Sequence, residues 1–271
     1  MKLSWGLPIE LDPISHVGGD VLNLGVYDRV VPEAILRLLD GGETAIDVGA
    51  NIGQNTSAMA LAAGPAGMTI GFEPGPESWR LLTANVARWA AYDLSPITPV
   101  RKGASDRAGR ALLHPVMDLG GFSLEEAPPG PLRRPREDGR AIDVEVTTLD
   151  EFLPGEAHVG FLKIDVEGHE LKVLEGARRL IDEKRIRDIV YEDHLPQLSP
   201  VTRFLQAAGY TVFRVSETWR GPVLWDPRED PGALNLLATL DAERARVRFR
   251  KRGWKCLWAS ARLKAPRKSN G

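Results

Sequence analysis

Between residues 44 and 240 the chain alternates short apolar runs with stretches of helical character, and this rhythm leaves few architectures open. Thr44–Val48 is an apolar run closed by Gly49, and a helix is predicted over Gln54–Ala63. Met68–Phe72 follows, then a helix from Pro76 to about Ala90, then a third run over Ile97–Arg101. Phe161–Asp165 resumes the pattern, with a helix predicted from about Glu167 to Ile181. Asp188–Glu192, a helix over Pro200–Ala208, Tyr210–Val215 and Leu234–Leu240 complete it. Apolar strands alternating with helices of this length predict one open, mostly parallel α/β sheet of about seven strands, covered on both faces. Ligands of such sheets bind beyond the carboxyl ends of the strands. The informative residues are therefore those just after Val48, Phe72, Arg101, Ile164 and Tyr191.

The rhythm breaks over residues 106–140, where Ala127-Pro-Pro-Gly-Pro131 and Arg133-Arg-Pro-Arg-Glu-Asp-Gly139 read as a long surface loop. Ala141–Val146 then alternates apolar and acidic residues, as a half-exposed strand does. Residues 1–43 hold Pro, Gly and polar turns around one helical piece, Pro32–Leu39, whose proline sits at a helix start. The expected organisation is an N-terminal segment 1–43 serving as a substrate cap, an α/β domain over 44–240 with an insertion at 106–140, and a tail over 241–271.

Charge divides the chain similarly. The net charge is −2, but residues 244–271 carry eleven Lys or Arg and no acid, which leaves −13 on the first 243 residues. An acidic body argues against nucleic acid as the main partner, because phosphate recognition puts a basic face on the folded domain. The basic tail, with Phe249, Trp254, Leu257 and Trp258 among its cations, suits an anionic membrane surface, an acidic partner protein, or simply a solvated terminus. One cysteine, Cys256, excludes an internal disulfide and a Cys-based zinc site. The first twenty residues lack a signal-like basic and apolar segment, and no apolar stretch has membrane-spanning length, so a soluble cytoplasmic protein is expected.

The first strand is followed by Asp47-Val-Gly-Ala-Asn-Ile-Gly-Gln-Asn55, where Gly49 and Gly53 permit a sharp turn and close approach of backbone to a ligand. The spacing is not G-x-G-x-x-G. Glu73 closes the second strand twenty residues beyond Gly53, where a carboxylate can accept both ribose hydroxyls of an adenosine-type cofactor. A dinucleotide wants helix N–H donors without nearby anions. Here Asp47, Glu73 and Asp165 gather at neighbouring strand ends, which suits a ribose, an ammonium and a sulfonium, as in S-adenosylmethionine. Ribose-binding carboxylates serve both cofactor classes, so the residues alone leave a nicotinamide oxidoreductase, or a non-catalytic binding module, as alternatives.

Asp47-Val-Gly-Ala-Asn-Ile-Gly53, Phe72-Glu-Pro74, Thr148-Leu-Asp150, Lys163-Ile-Asp-Val-Glu-Gly-His-Glu170 and Val173-Leu-Glu-Gly-Ala177 together resemble the FkbM-type methyltransferases, over roughly Gly25 to Leu240. The resemblance implies a class I, Rossmann-like methyltransferase fold: seven strands, mostly parallel, the last antiparallel, with helices on both faces. It also implies S-adenosylmethionine as cofactor and methylation of a hydroxyl on a sugar or natural-product intermediate. Asp47, Gly49, Asn51 and Gly53 match the family's cofactor loop, Glu73 its ribose acid, and Asp165 and Glu167 its acidic motif after the fourth strand. Ala104 and Ser105 fall where the family contacts adenine. An aromatic residue and Thr often follow the loop in the family; here Gln54, Asn55 and Thr56 do, and Asn55 is carried over as a cofactor contact.

Methyl transfer to a hydroxyl gains from a base. Asp165 beside the transferred methyl, and His169 and His194 just beyond two strand ends, are the catalytic candidates, although both histidines also read as surface residues at element ends. His16, His114 and His158 receive no role. Asp165 with Glu192 or Asp193 offers two hard oxygen ligands, short of a full set for Mg²⁺. Glu167 is expected at a helix start, sparing one of the two acids for structure. Substrate selection is expected in the N-terminal segment, the insertion and the 217–232 loop, whose Trp219 and Trp225 form either a stacking wall or pins to the core.

Overall fold

The most apolar run takes the centre of the sheet, because only there can every residue of a strand be buried. The structure, a computed structural model, describes residues 1–13, 15–115, 122–123, 141–193, 199–229 and 232–259. Its strands are β1 (Thr44–Val48), β2 (Met68–Phe72), β3 (Ile97–Val100), β4 (Gly103–Ala104), β5 (Gly109–Pro115), β6 (Phe122–Ser123), β7 (Ile142–Thr147), β8 (Val159–Ile164), β9 (Ile186–Glu192), β10 (Thr211–Thr218), β11 (Gly221–Trp225) and β12 (Asn235–Thr239). Its α-helices are α1 (His16–Leu24), α2 (Val30–Leu38), α3 (Gln54–Ala63), α4 (Pro76–Trp89), α5 (Leu149–Phe152), α6 (Glu170–Glu175), α7 (Arg178–Asp182), α8 (Pro200–Ala207) and α9 (Ala242–Phe249).

The main sheet runs β11-β10-β12-β9-β8-β1-β2-β3. β3, β2, β1, β8 and β9 are parallel, and β12 lies antiparallel between β9 and β10. Class I methyltransferase topology is therefore present, with an eighth strand. Period-two alternation sends Ala45 and Phe161 into one core with α2 and α3, and Ile46, Val48, Leu162 and Ile164 into another on the opposite face. The chain winds both ways from β1, to β2 on one side and β8 on the other, so the crevice for a ligand opens above this pair. No described helix is long and apolar enough to cross a membrane.

Several expectations change. The segment expected as a loop over 217–232 holds the eighth strand: β10 continues to Thr218, turns at Trp219 and Arg220, and pairs with β11. Gly221 and Pro222 read as loop signals, but proline is tolerated on an edge strand, and β11 is the edge. Trp219 stands out at the tip, 85% exposed, so it does not pin the hairpin to the core. In the expected insertion, residues 109–115 form β5 and pair with β7, with Arg110 beside Asp143 at 2.8 Å. The alternation over β7 holds, with Val144 and Val146 buried and Asp143 and Glu145 exposed.

The helix expected over 167–181 is two short helices. At Gly176 a Cβ would run into the Ser105 carbonyl oxygen, so the crossing 105 loop fits only a glycine, and the Gly176 carbonyl accepts from Asp150 N where the helix is interrupted. Asp150 restarts it, its carboxylate accepting from Arg179 N (2.7 Å) and Leu180 N (3.1 Å) at the head of α7. Thr148 caps α5 through Glu151 N. The Thr148-Leu-Asp150 motif is thus a pair of helix caps.

The chain's two ends meet under the sheet. Every residue of α2 is buried. Arg37 reaches Glu33 at 2.5 Å and donates to the carbonyls of Arg248, Lys251 and Gly253, while Glu33 accepts from Cys256 N. Residues 241–259, expected as part of a loose tail, form α9 and a 3₁₀ turn over Lys255–Leu257 held by these bonds. Buried charge without its partner is costly. Replacing Arg37 by Leu should destabilise the fold by about 3–5 kcal/mol, and adding Glu33→Met should recover only the part due to the stranded carboxylate, because the three carbonyls and Cys256 N stay without their partners. Urea unfolding midpoints of the two variants make the comparison.

Candidate active site

The turn from β1 into α3 is shaped by what lies under it. Gly49 has φ +77°, and a Cβ there would strike the Asp165 carbonyl oxygen, so the loop rests directly on the turn after β8. Gly53, at φ +93°, lets α4 close in: a Cβ would lie 2.8 Å from Leu82 Cδ1 and 2.9 Å from Trp89 Cη2. Asn51 between them also has positive φ, +48°. Its backbone N–H donates to Glu73 Oε2 at 2.8 Å, and Gly75 N–H donates to Oε1 at 2.8 Å. Burial pushes the Glu73 carboxyl up to about 7, against these two donors. Each oxygen retains a lone pair for a further donor.

Beneath the loop lies Lys163, 2% exposed, in register with Asp47 across the β1–β8 pair. Its Nζ donates to Gly49 O (2.6 Å) and Val48 O (3.3 Å), and lies 3.2 Å from Asp47 Oδ1 and 3.6 Å from Asp165 Oδ2. Burial works against the ammonium, but the carboxylates of Asp47 and Asp165 outweigh it and raise its pKa. Asp47 Oδ2 accepts from Thr56 Oγ1 at 2.6 Å. Asp47 is thus fully enclosed, which corrects its expected direct contact with a ligand: it supports the loop from below through Lys163 and Thr56. Lys163 is the main residue missed as functional, although a lysine inside Phe161-Leu-Lys-Ile164 is a visible anomaly in a buried strand.

Asp165 remains 38% exposed above this base. Burial raises its carboxyl to about 7; Lys163 opposes that, and Glu192, Glu167 and Glu170 reinforce it. Two residues of the N-terminal segment join the same acids. Burial and then the charges of Asp165, Glu192 and Asp28 push the Tyr27 hydroxyl up. Asp28 is pushed up to about 6 by burial, while accepting from Asn235 Nδ2 (2.7 Å) and Val30 N (3.0 Å). Gln54 secures this segment, donating to Tyr27 O (2.8 Å) and accepting from Tyr27 N (2.7 Å). No local pattern around Tyr27 or Asp28 marks them, because their partners belong to α3, β9 and β12.

Other candidates are displaced. Glu167 is not at a helix start: it lies in the turn at φ +57°, and α6 begins at Glu170, whose Oε1 accepts from Val166 N and Gly168 N. His169 is buried, its Nε2 2.9 Å from Ser105 Oγ, so it ties the β8 turn to the segment after β4 rather than standing open as a base. His194 lies outside the described residues. Ala104 and Ser105 are buried beside β7, with Ser105 N donating to Thr147 O. Of the acids named beside Asp165 for Mg²⁺, Asp193 is buried and accepts from Thr202 Oγ1 of α8 (3.4 Å), whereas Glu192 lies near enough to act on Asp165 through its charge. Among the described residues, no group of three or more His, Cys, Asp or Glu could hold a metal. Asn55 Oδ1, in the first turn of α3, is buried and accepts no hydrogen bond among the described residues.

Residues 47–212 match the family model of the methyltransferase FkbM domain. The chain is 31% identical over 194 residues to the 31-O-demethyl-FK506 methyltransferase FkbM of Streptomyces tacrolimicus, covering 63% of this chain and 74% of that protein. It is 30% identical over 203 residues to the methyltransferase sdnD of Sordaria araneosa, covering 64% and 76%. Among solved structures, a SAM-dependent O-methyltransferase from Thermotoga maritima aligns with a TM-score of 0.46 at 13% identity, over 82% of this chain and 70% of that one.

A carboxyl whose folded pKa is raised binds its proton more tightly folded than unfolded, so its contribution to stability is present below the unfolded pKa and is lost as pH rises through the folded one. For Asp165 that window runs from 3.8 to about 7. Asp165→Asn should therefore raise the urea midpoint above neutral pH and flatten the fall in stability across this window. Urea titrations at the two ends of the window measure both.

Proposed function

The chain belongs to the FkbM methyltransferase family, and from that premise we propose that it transfers the methyl group of S-adenosylmethionine to a hydroxyl of a small natural-product or sugar acceptor. The observation that carries this reading is the partly exposed Asp165, raised to about 7 and anchored by Lys163 at the point where the strand order divides. A relative at 31% identity is named for a 31-O-demethyl acceptor, which favours an oxygen nucleophile.

The donor set fits the cofactor. Glu73 keeps one acceptor position per oxygen for the two ribose hydroxyls, and Asn55 Oδ1 is a buried acceptor in need of a donor. Gly49, Asn51 and Gly53 shape the loop against which it would lie, and Ala104 and Ser105 border the expected adenine side. When bound, the cofactor supplies a methyl carbon activated by a sulfonium.

The protein's part is alignment, exclusion of water and management of one proton. A base with a pKa near the working pH combines a useful ionised fraction with enough proton affinity. Asp165 meets that condition and takes the proton of the acceptor hydroxyl as the oxygen attacks. Lys163 is a positioning residue that keeps Asp165 and the Gly49 carbonyl in place. Tyr27 and Asp28 bring the N-terminal segment to the rim, where the acceptor is oriented.

S-adenosylhomocysteine at about a hundred times its Kd should stabilise the protein by about 2.7 kcal/mol in thermal unfolding, and NADP should not. Protection by NADP alone would return the oxidoreductase reading. Glu73→Ala should weaken S-adenosylmethionine binding by about 1.5–3 kcal/mol, read by calorimetric titration. With an acceptor found by screening hydroxylated compounds, Asp165→Asn should lower turnover at saturating cofactor at least about tenfold. Cofactor binding without turnover across such a screen would favour a non-catalytic module.

A further inference from the structure

The C-terminal segment folds back along the outer hairpin of the sheet. Gly253 N donates to Arg220 O at 2.7 Å, and Trp254 Nε1 donates to Thr218 O at 3.2 Å. Between β11, α9 and this segment lies a cavity of about 350 Å³. Phe213, Leu224 and Phe249 give it an apolar lining, and Arg220, Arg246, Arg250, Lys251 and Arg252 contribute the cations. No acid lines it. None of the five cations forms an ion pair with a carboxylate among the described residues. Elsewhere in the same region arginines do find acids: Arg244 and Arg248 reach Asp40, and Arg29 takes Glu217, the acid of the hairpin.

Five like charges around one concavity repel one another, and an external anion relieves that repulsion. A small anion would need only the cations. The site offers more. Trp219 projects from the hairpin tip at 85% exposure, with the Arg220 guanidinium 4.4 Å over its ring. Trp258, one turn beyond Trp254, is 78% exposed. Large exposed indoles beside Lys and Arg fit a membrane interface, where the ring sits at headgroup depth and the cations reach phosphate. With −13 on the first 243 residues, attraction to an anionic surface has to come from a local group of cations such as this one.

We propose that the β10–β11 hairpin tip, the basic cavity and residues 250–259 form a docking surface for an anionic phospholipid bilayer. The surface is independent of the methyl-transfer reading. The test is co-sedimentation of the full chain with vesicles of phosphatidylglycerol and phosphatidylcholine, against phosphatidylcholine alone. Partition onto the mixed vesicles only is expected, with loss at 1 M salt, where the Debye length is about 3 Å. Reversing Arg250, Lys251 and Arg252 to Glu should weaken it about a hundredfold or more. Trp219→Ser, at an exposed tip, should weaken it about tenfold, and it decides the matter if the triple variant fails to give a native melting transition. Absence of partition onto the anionic vesicles, equal partition onto both kinds, or unchanged partition in the folded variants would overturn the proposal. So would binding of inorganic phosphate or of an acidic polypeptide by a protein that ignores the vesicles.

Discussion

One buried ammonium ties the two halves of the sheet together where the ligand crevice opens. Lys163 sits on the central strand, in register with Asp47, and its hydrogen bonds run to the carbonyls of Val48 and Gly49. Taking an amino group out of water costs several kcal/mol unless charges and acceptors surround it. Here two carboxylates and two carbonyls do so, and all four belong to the ends of β1 and β8. The ion cannot be solvated where it is, so these strand ends are held in one geometry. The glycine loop, the contact of Gly49 with the Asp165 carbonyl and the exposure of Asp165 all follow from it.

The same logic operates at the base of the molecule, where Arg37 gathers three carbonyls of the C-terminal segment and pairs with Glu33. Docking α2 in this way places the residues just before it. Tyr27 and Asp28 are carried to the acidic rim, and Arg29 to Glu217 and to within 5.0 Å of the Trp254 ring. Consecutive residues of the N-terminal segment thus reach both the crevice, through Asp28 and Asn235, and the basic hairpin, through Arg29 and Glu217, at the carboxyl edge of the sheet.

Glu73 and Asp165 are both raised to about 7, and burial is the first cause for each. Their surroundings separate them. Glu73 is fixed by two backbone donors, which suits an acceptor that must not move. Asp165 has a neighbouring ammonium at 3.6 Å and partial exposure, which suits a group that exchanges a proton. The two carboxyls thus shift in the same direction for the same first cause, while their hydrogen bonds and exposure differ.

The apolar runs, the glycine turn after Val48 and the acid after Phe72 were legible in the chain, because periodicity and turn chemistry depend on neighbours in sequence. They determined the parallel sheet and the positions of Gly49, Glu73 and Asp165 at strand ends. The crossing at Gly176, where the Ser105 carbonyl leaves no room for a Cβ, was not legible, since Ser105 is far away in the chain. Nor was the engagement of His169, whose partner is the same Ser105, or the strand β11, where Gly221 and Pro222 imitate a loop. Asp47, Asp165 and Asp193 look alike in sequence, each beside the end of a strand. Only the tertiary structure decided that Asp47 is sealed against Lys163 and Thr56, that Asp193 turns to α8, and that Asp165 stays open. Burial and pairing set those fates, and both are fixed by residues that meet only when the chain has folded.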